Sequence, residues 1–280
     1  FPQSVNPTSN EREMFFVNLD AFGVVNAGAL ESTLAHEFQH MIRDNIDVNQ
    51  ATWLNEGLST FTELYLGHDS NLGWLAGAFL REPQTQLNTF GGSTAPRAVN
   101  YGAGFLFVTY FYERYGVDGI RALSDQTANG LTAVDLTLAQ LDNTDVDTFF
   151  ADWVVANWLQ DAAAGYGYSE LTLPSRPPAT FNLARTRNLH TSQVNQYATD
   201  YYRVQPPAGT DSITIELTQA EAIGLAPTTA FSGSQMWYSN RADVSHSTLR
   251  RTFDLSDVDS ATFTYQAWWA IEQGWDYVYL

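Results

Sequence analysis

Between Ala29 and Asn45 the apolar residues Leu30, Leu34, Phe38, Met41 and Ile42 recur at steps of three and four, which gathers them on one face of an α-helix. A short polar stretch from Asn45 to Gln50 follows, and helical spacing resumes from Trp53 to Leu66, with Gly67 as its stop. Upstream, Glu13 to Asp20 (EMFFVNLD) groups aromatic and β-branched residues as a strand does and leads into a turn at Gly23. Downstream, Gly91 to Pro96 (GGSTAP) has the composition of a loop, and Gly104 to Tyr115 is apolar enough for a buried helix ending at Gly116. Val117 to Ser124, Ala133 to Leu141 and Asp145 to Leu159 read as further helices, so the chain is expected to be mostly α through about Gly165.

The pattern then changes. Pro174 to Pro178 (PSRPP) reads as a linker, and beyond it the short alternating runs Ser212 to Thr218, Thr262 to Trp268 and Trp275 to Leu280 predict strands of a β-sandwich. The expected fold class is α+β: a mainly helical region over residues 1–173, with a truncated N-terminal strand, and a β-sandwich-like accessory region over residues 174–280. The terminal run Asp276 to Leu280 has no turn or cap signal after it, so the sandwich is expected to be incomplete at its C-terminus. There is no internal repeat, heptad or low-complexity tract.

Composition narrows the partners. With 280 residues, 44% of them hydrophobic, the chain can bury a substantial core. Its 13 basic residues are all Arg and face 31 acidic ones, a net charge of −18 that repels nucleic acid and anionic membranes. No apolar run reaches about 18 residues, so no membrane insertion is expected. Phe1 to Asn10 lacks the basic and apolar parts of a signal peptide, and any export or pro segment is expected to have been removed. Cysteine is absent, which rules out disulfides and leaves the redox compartment open.

The chemistry lies in the first helix. His36-Glu37-Phe38-Gln39-His40 is an HExxH sequence, and residues four apart stand one turn apart on one helix face. Both imidazoles can therefore reach one zinc ion, while Glu37, rotated by about 100°, is directed beside it to act on a water. A catalytic zinc takes a third protein ligand and keeps one position open. Glu56, in Trp53-Leu54-Asn55-Glu56-Gly57, meets that need if the short connection packs the two helices antiparallel. Glu63, seven residues on, shares its face and is either a hydrogen-bond acceptor for a ligand imidazole or a solvated carboxylate.

Other polar residues carry plainer readings. Arg43 is expected to be an exposed cation at the helix end, and His68, His190 and His246 have no partner at ligand spacing. Asp254, Asp257 and Asp259 lack the glycine and terminal glutamate of an EF-hand and read as a solvated turn. Trp268, Trp269, Trp275, Tyr277 and Tyr279 alternate in part as core residues of strands do, with a sugar-binding platform as the alternative.

At HEFQHMI and WLNEGLS the sequence resembles the gluzincin metallopeptidases, and within them the hyicolysin type of bacterial extracellular enzyme. WLNEGLSTFTEL is also similar to the WLNEGFAxxxE stretch of the aminopeptidase N family. The likeness spans roughly Glu31 to Trp158 and implies Zn²⁺ held by His36, His40 and Glu56, with Glu37 as the catalytic carboxylate. In the aminopeptidases a tyrosine before a buried helix stabilises the oxyanion, and Tyr101 of Asn100-Tyr101-Gly102-Ala103-Gly104 occupies the corresponding place. The sequence departs from the family in two respects. Only 15 residues separate His40 from Glu56, and no Gly-x-Met-Glu-Asn stretch is present to bind a substrate N-terminus.

Thr252 to Leu280 resembles β-domain sequences appended to immune inhibitor A type peptidases, which implies export. The expectation is a secreted zinc endopeptidase acting on proteins or peptides. The alternatives are an aminopeptidase, or an inactive surface protein whose β domain binds polysaccharide or cell-surface ligands.

Overall fold

In the computed structural model the described residues are 7–8, 14–18, 27–46, 49–68, 72–90, 97–183, 189–220, 224, 226–239, 246–271 and 273–280. Six α-helices form among them: α1 (Ala27–Ile46), α2 (Thr52–Tyr65), α3 (Leu72–Arg81), α4 (Arg97–Ser124), α5 (Gly130–Leu141) and α6 (Val146–Leu159). A single turn of 3₁₀ helix follows at Ala162–Ala164, and β1 (Phe181–Leu183) pairs in parallel with β2 (Tyr202–Val204), Phe181 opposite Tyr202. The chain falls into two units, Phe1–Thr210 and Asp211–Leu280. No helix among the described residues is long and apolar enough to cross a membrane.

Helix α4 is the centre of the first unit. Phe105, Leu106, Phe107, Val108, Tyr110 and Phe111 have no polar face between them and are fully buried, so the helix must be surrounded. Helices α2 and α3 pack against it, and α1 packs against α2. Phe107 takes the edges of Trp53, Phe149 and Trp153 at ring separations of 5.2–5.5 Å, and Phe79 stacks on Trp153. Such aromatic pairs add about 0.5–1.5 kcal/mol each beyond the area they bury.

The α2–α4 crossing depends on two glycines. A Cβ on Gly57 would stand 2.7 Å from the Gly104 carbonyl oxygen, and one on Gly104 would stand 2.5 Å from that of Trp53. Within α4, Gly116 has φ 64° and ψ −163°, a conformation side chains resist, and it divides the helix where the sequence predicts an end. Helix α6 opens on Asp145, whose carboxylate accepts from the Thr148 amide at 2.7 Å.

The helices expected around residues 29–45, 53–66, 104–115, 117–124, 133–141 and 145–159 all form. Helix α3 (LGWLAGAFLR) is not among those expectations, and six of its ten residues are buried.

The α+β fold class is overturned. Among the described residues the structure is mostly helical, with two three-residue strands, and no C-terminal β-sandwich is evident. The described residues of 211–280 form no strand. Alternation within a short run expresses a local preference, whereas a sheet needs ladder partners and a covered face. Here Ile213, Ile215 and Leu217, which the alternation assigns to a core, are 52%, 71% and 82% exposed. Trp268, Trp269, Trp275, Tyr277 and Tyr279 are exposed as well, against the core role expected of them. At the N-terminus Met14 to Asn18 belong to no strand, while the ends of that predicted strand, the turn at Gly23 and the Gly91 to Pro96 loop lie outside the described residues.

Candidate metal centre

The short connection between α1 and α2 sets the two helices side by side. Gln50, buried at its end, accepts through Oε1 from the amides of Ala51 and Gly130 at 3.0 and 2.6 Å, tying the start of α2 to the start of α5. On α1 the face at His36 and His40 looks onto the face of α2 at Glu56, Ser59 and Glu63.

His36 Nε2 lies 3.1 Å and His40 Nε2 3.6 Å from the same carboxylate oxygen, Glu56 Oε2. The two rings meet edge to face with centroids 4.9 Å apart. One ligand atom from each of the three residues lies within 4.8 Å of the others, and this is the one such His and carboxylate group among the described residues. Two donors each 2.0–2.1 Å from a tetrahedral ion stand roughly 3.3–3.4 Å apart, so the observed 3.1 and 3.6 Å bracket the spacing zinc requires. The donor set fits the metal. Two imidazoles with one carboxylate leave a fourth position open, and all three side chains are partly accessible.

The outer nitrogens of both rings are held. His36 Nδ1 donates to Glu63 Oε1 at 2.8 Å, and the other oxygen of Glu63 accepts from Ser32 Oγ at 2.5 Å. Glu63 thus hydrogen-bonds the His36 imidazole and is not a solvated carboxylate. His40 Nδ1 faces Ser59 Oγ at 3.1 Å, and Ser59 donates to Gln39 Oε1 at 2.6 Å. Ser32, Gln39 and Ser59 are absent from the sequence expectations because an isolated polar residue in a helix reads as a surface position. Their signal is helical phase: Ser32 precedes His36 by four and Ser59 follows Glu56 by three.

Without metal, the group is an ion cluster. Burial, the largest single influence on His36, disfavours its charge, but hydrogen bonds to Glu56 and Glu63 outweigh it and raise the pKa to about 9. His40 is likewise raised, with burial opposed by hydrogen bonds to Glu56 and Asn55. Burial disfavours the Glu56 carboxylate too, yet the two histidines hold its pKa down to about 2. Neutral imidazoles are metal ligands, so a cation held here would take the place of protons.

Tyr101 reaches the centre from the first turns of α4. Its ring lies 6.4 Å from that of His36 and takes the edge of Phe90 at 5.0 Å. Burial, and then the Glu56 charge and hydrogen bond, push its phenol up to about 12, so it is a hydrogen-bond donor at neutral pH. The next residue, Gly102, explains the approach: a Cβ there would run into the Leu75 carbonyl of α3.

Glu37 is exposed beside the metal group. With His40, Thr33 and Asp44 it borders a hollow of about 500 Å³ whose other walls are apolar, among them Met14, Phe16, Leu34 and Met41. Arg43 departs from its expected place: it is fully buried, and Nη1 donates to the Ser124 carbonyl at 2.7 Å. Asp254 accepts from the amide and hydroxyl of Ser256, in keeping with a solvated turn, and His190 packs on Phe181 and Tyr202. Compared with protein families and with curated proteins, the sequence matches none.

Proposed function

We propose that this protein is a zinc-dependent peptidase that adds water to peptide bonds at the His36, His40 and Glu56 centre. The observation that carries the reading is the convergence of His36 Nε2 and His40 Nε2 on Glu56 Oε2 at 3.1 and 3.6 Å, with Glu37 one residue away on the same helix. Bound zinc would supply Lewis acidity, lowering the pKa of water toward neutrality and polarising the scissile carbonyl.

The chain's own groups supply the rest. Glu37 takes a proton from the attacking water as its oxygen bonds to the carbonyl carbon, and returns that proton to the amide nitrogen as the C–N bond breaks. Tyr101 donates its phenolic hydrogen to the oxygen that becomes negative, a stabilisation worth about 2.7–4 kcal/mol at comparable sites. Glu63 keeps the His36 ring aimed. The open hollow beside Glu37 and His40 gives an extended peptide room on the flank of the centre, and the absence of a sequence element for a free substrate N-terminus favours internal cleavage. The likeness to bacterial extracellular enzymes supports action outside the cell.

Metal analysis of the purified chain tests the centre. About one zinc per chain, lost in His40→Ala, is the expected result. A chain that binds no zinc after incubation with the ion would remove the reading.

A further inference from the structure

Resting on the zinc reading above, we propose that Ser59 is the positioning residue of His40, holding the ring by Nδ1 and committing Nε2 to the metal. Ser59 is fully buried in the middle of α2, three residues past Glu56, and its hydroxyl stands between two groups of α1. Gln39 Oε1 is 2.6 Å away on one side and His40 Nδ1 3.1 Å away on the other. A hydroxyl has one hydrogen to give. A carboxamide oxygen only accepts, so that hydrogen goes to Gln39, and toward His40 the Ser59 oxygen presents a lone pair.

The ring must then carry its own hydrogen on Nδ1. With a metal ion between His40 and Glu56, this would leave the lone pair on Nε2, the atom that faces Glu56 Oε2 at 3.6 Å, to bind it. The other tautomer sets two lone pairs against each other at Nδ1 and aims an N–H at the metal position. Gln39 is itself buried. The two histidines are thus held differently: His36 against a carboxylate, His40 against a neutral hydroxyl. Asn55, one turn earlier on α2, is the competing partner for the His40 ring.

The test is ring ¹⁵N NMR of the full chain, zinc-free and zinc-loaded, with zinc affinity from chelator competition. In the zinc-loaded chain Ser59→Ala should move the His40 Nδ1 resonance and speed exchange of its hydrogen, which loses its acceptor. It should also weaken zinc binding about 10–100-fold, the usual effect of losing the partner of a ligand imidazole. Gln39→Leu, which frees the Ser59 hydrogen to turn toward Nδ1, should move the same resonance and serves if Ser59→Ala does not fold. A wild-type Nδ1 resonance and affinity in both variants, with the loss appearing in Asn55→Ala, would overturn the assignment while leaving the zinc reading intact. A wild-type chain that takes up no zinc would overturn both.

Discussion

Replacing Gly57 by Ala should destabilise the helical unit, although alanine is the better helix former. On propensity alone the change favours α2 by about 0.8–1 kcal/mol. The new Cβ, however, would lie 2.7 Å from the Gly104 carbonyl oxygen, 2.9 Å from its carbon and 3.1 Å from Val108 Cγ2. Two of these are backbone atoms of the central helix and cannot rotate away, so α2 and α4 must separate. Overpacking of this kind costs about 1–3 kcal/mol.

Gly73→Ala in α3 is the matched control, because nothing lies within 4 Å of its added Cβ. The propensity gain largely cancels between the two variants, and the remaining difference should be about 1–3 kcal/mol. At about 2–4 °C per kcal/mol for a unit of this size, Gly57→Ala should melt about 2–12 °C below Gly73→Ala in calorimetry. Because Gly57 follows Glu56 directly, the same displacement should weaken zinc binding. Equal melting temperatures would show that the close helix crossing, and the registration of Glu56 that depends on it, is not as described.

Two further outcomes follow from the site. Tyr101→Phe should lower kcat about 10²–10³-fold with zinc content unchanged, measured by steady-state hydrolysis of a peptide; an unchanged kcat would leave the tyrosine a packing role. In the metal-free protein the raised His36 pKa contributes stability in full below 6.5 and loses it as pH rises through about 9. The lowered Glu56 pKa contributes above 4.5 and loses its share as pH falls toward about 2. Metal-free melting temperature should therefore fall on both sides of a plateau near pH 4.5–6.5, and zinc affinity should climb with pH toward 9 as protons leave. Calorimetric titration in buffers of different ionisation heat reads that proton release, and zinc binding at pH 7 without it would contradict the account.

What the sequence discloses depends on the range of the interaction. HExxH is legible because both histidines and Glu37 lie within one helix whose apolar spacing is itself visible, and Glu56 follows from a connection too short for anything but adjacent packing. Glu63 is reachable by helical phase. Tyr101 is identified only through resemblance, since its approach depends on α4 meeting α3 at Gly102, a contact that no local pattern encodes. Arg43 reads as a surface charge because burial of its guanidinium depends on the Ser124 carbonyl, 81 positions away in the chain. The expected β-sandwich fails for the same reason: alternating residues state a preference, but strands exist only where distant partners supply the ladder.

The central claim is hydrolysis by water that Glu37 activates beside zinc, and the most direct measurement is peptide cleavage by Glu37→Gln at zinc occupancy equal to wild type. The account predicts cleavage by the zinc-loaded wild type, with turnover in the variant reduced at least about 10²-fold. Equal turnover by the two fully zinc-loaded proteins would contradict it.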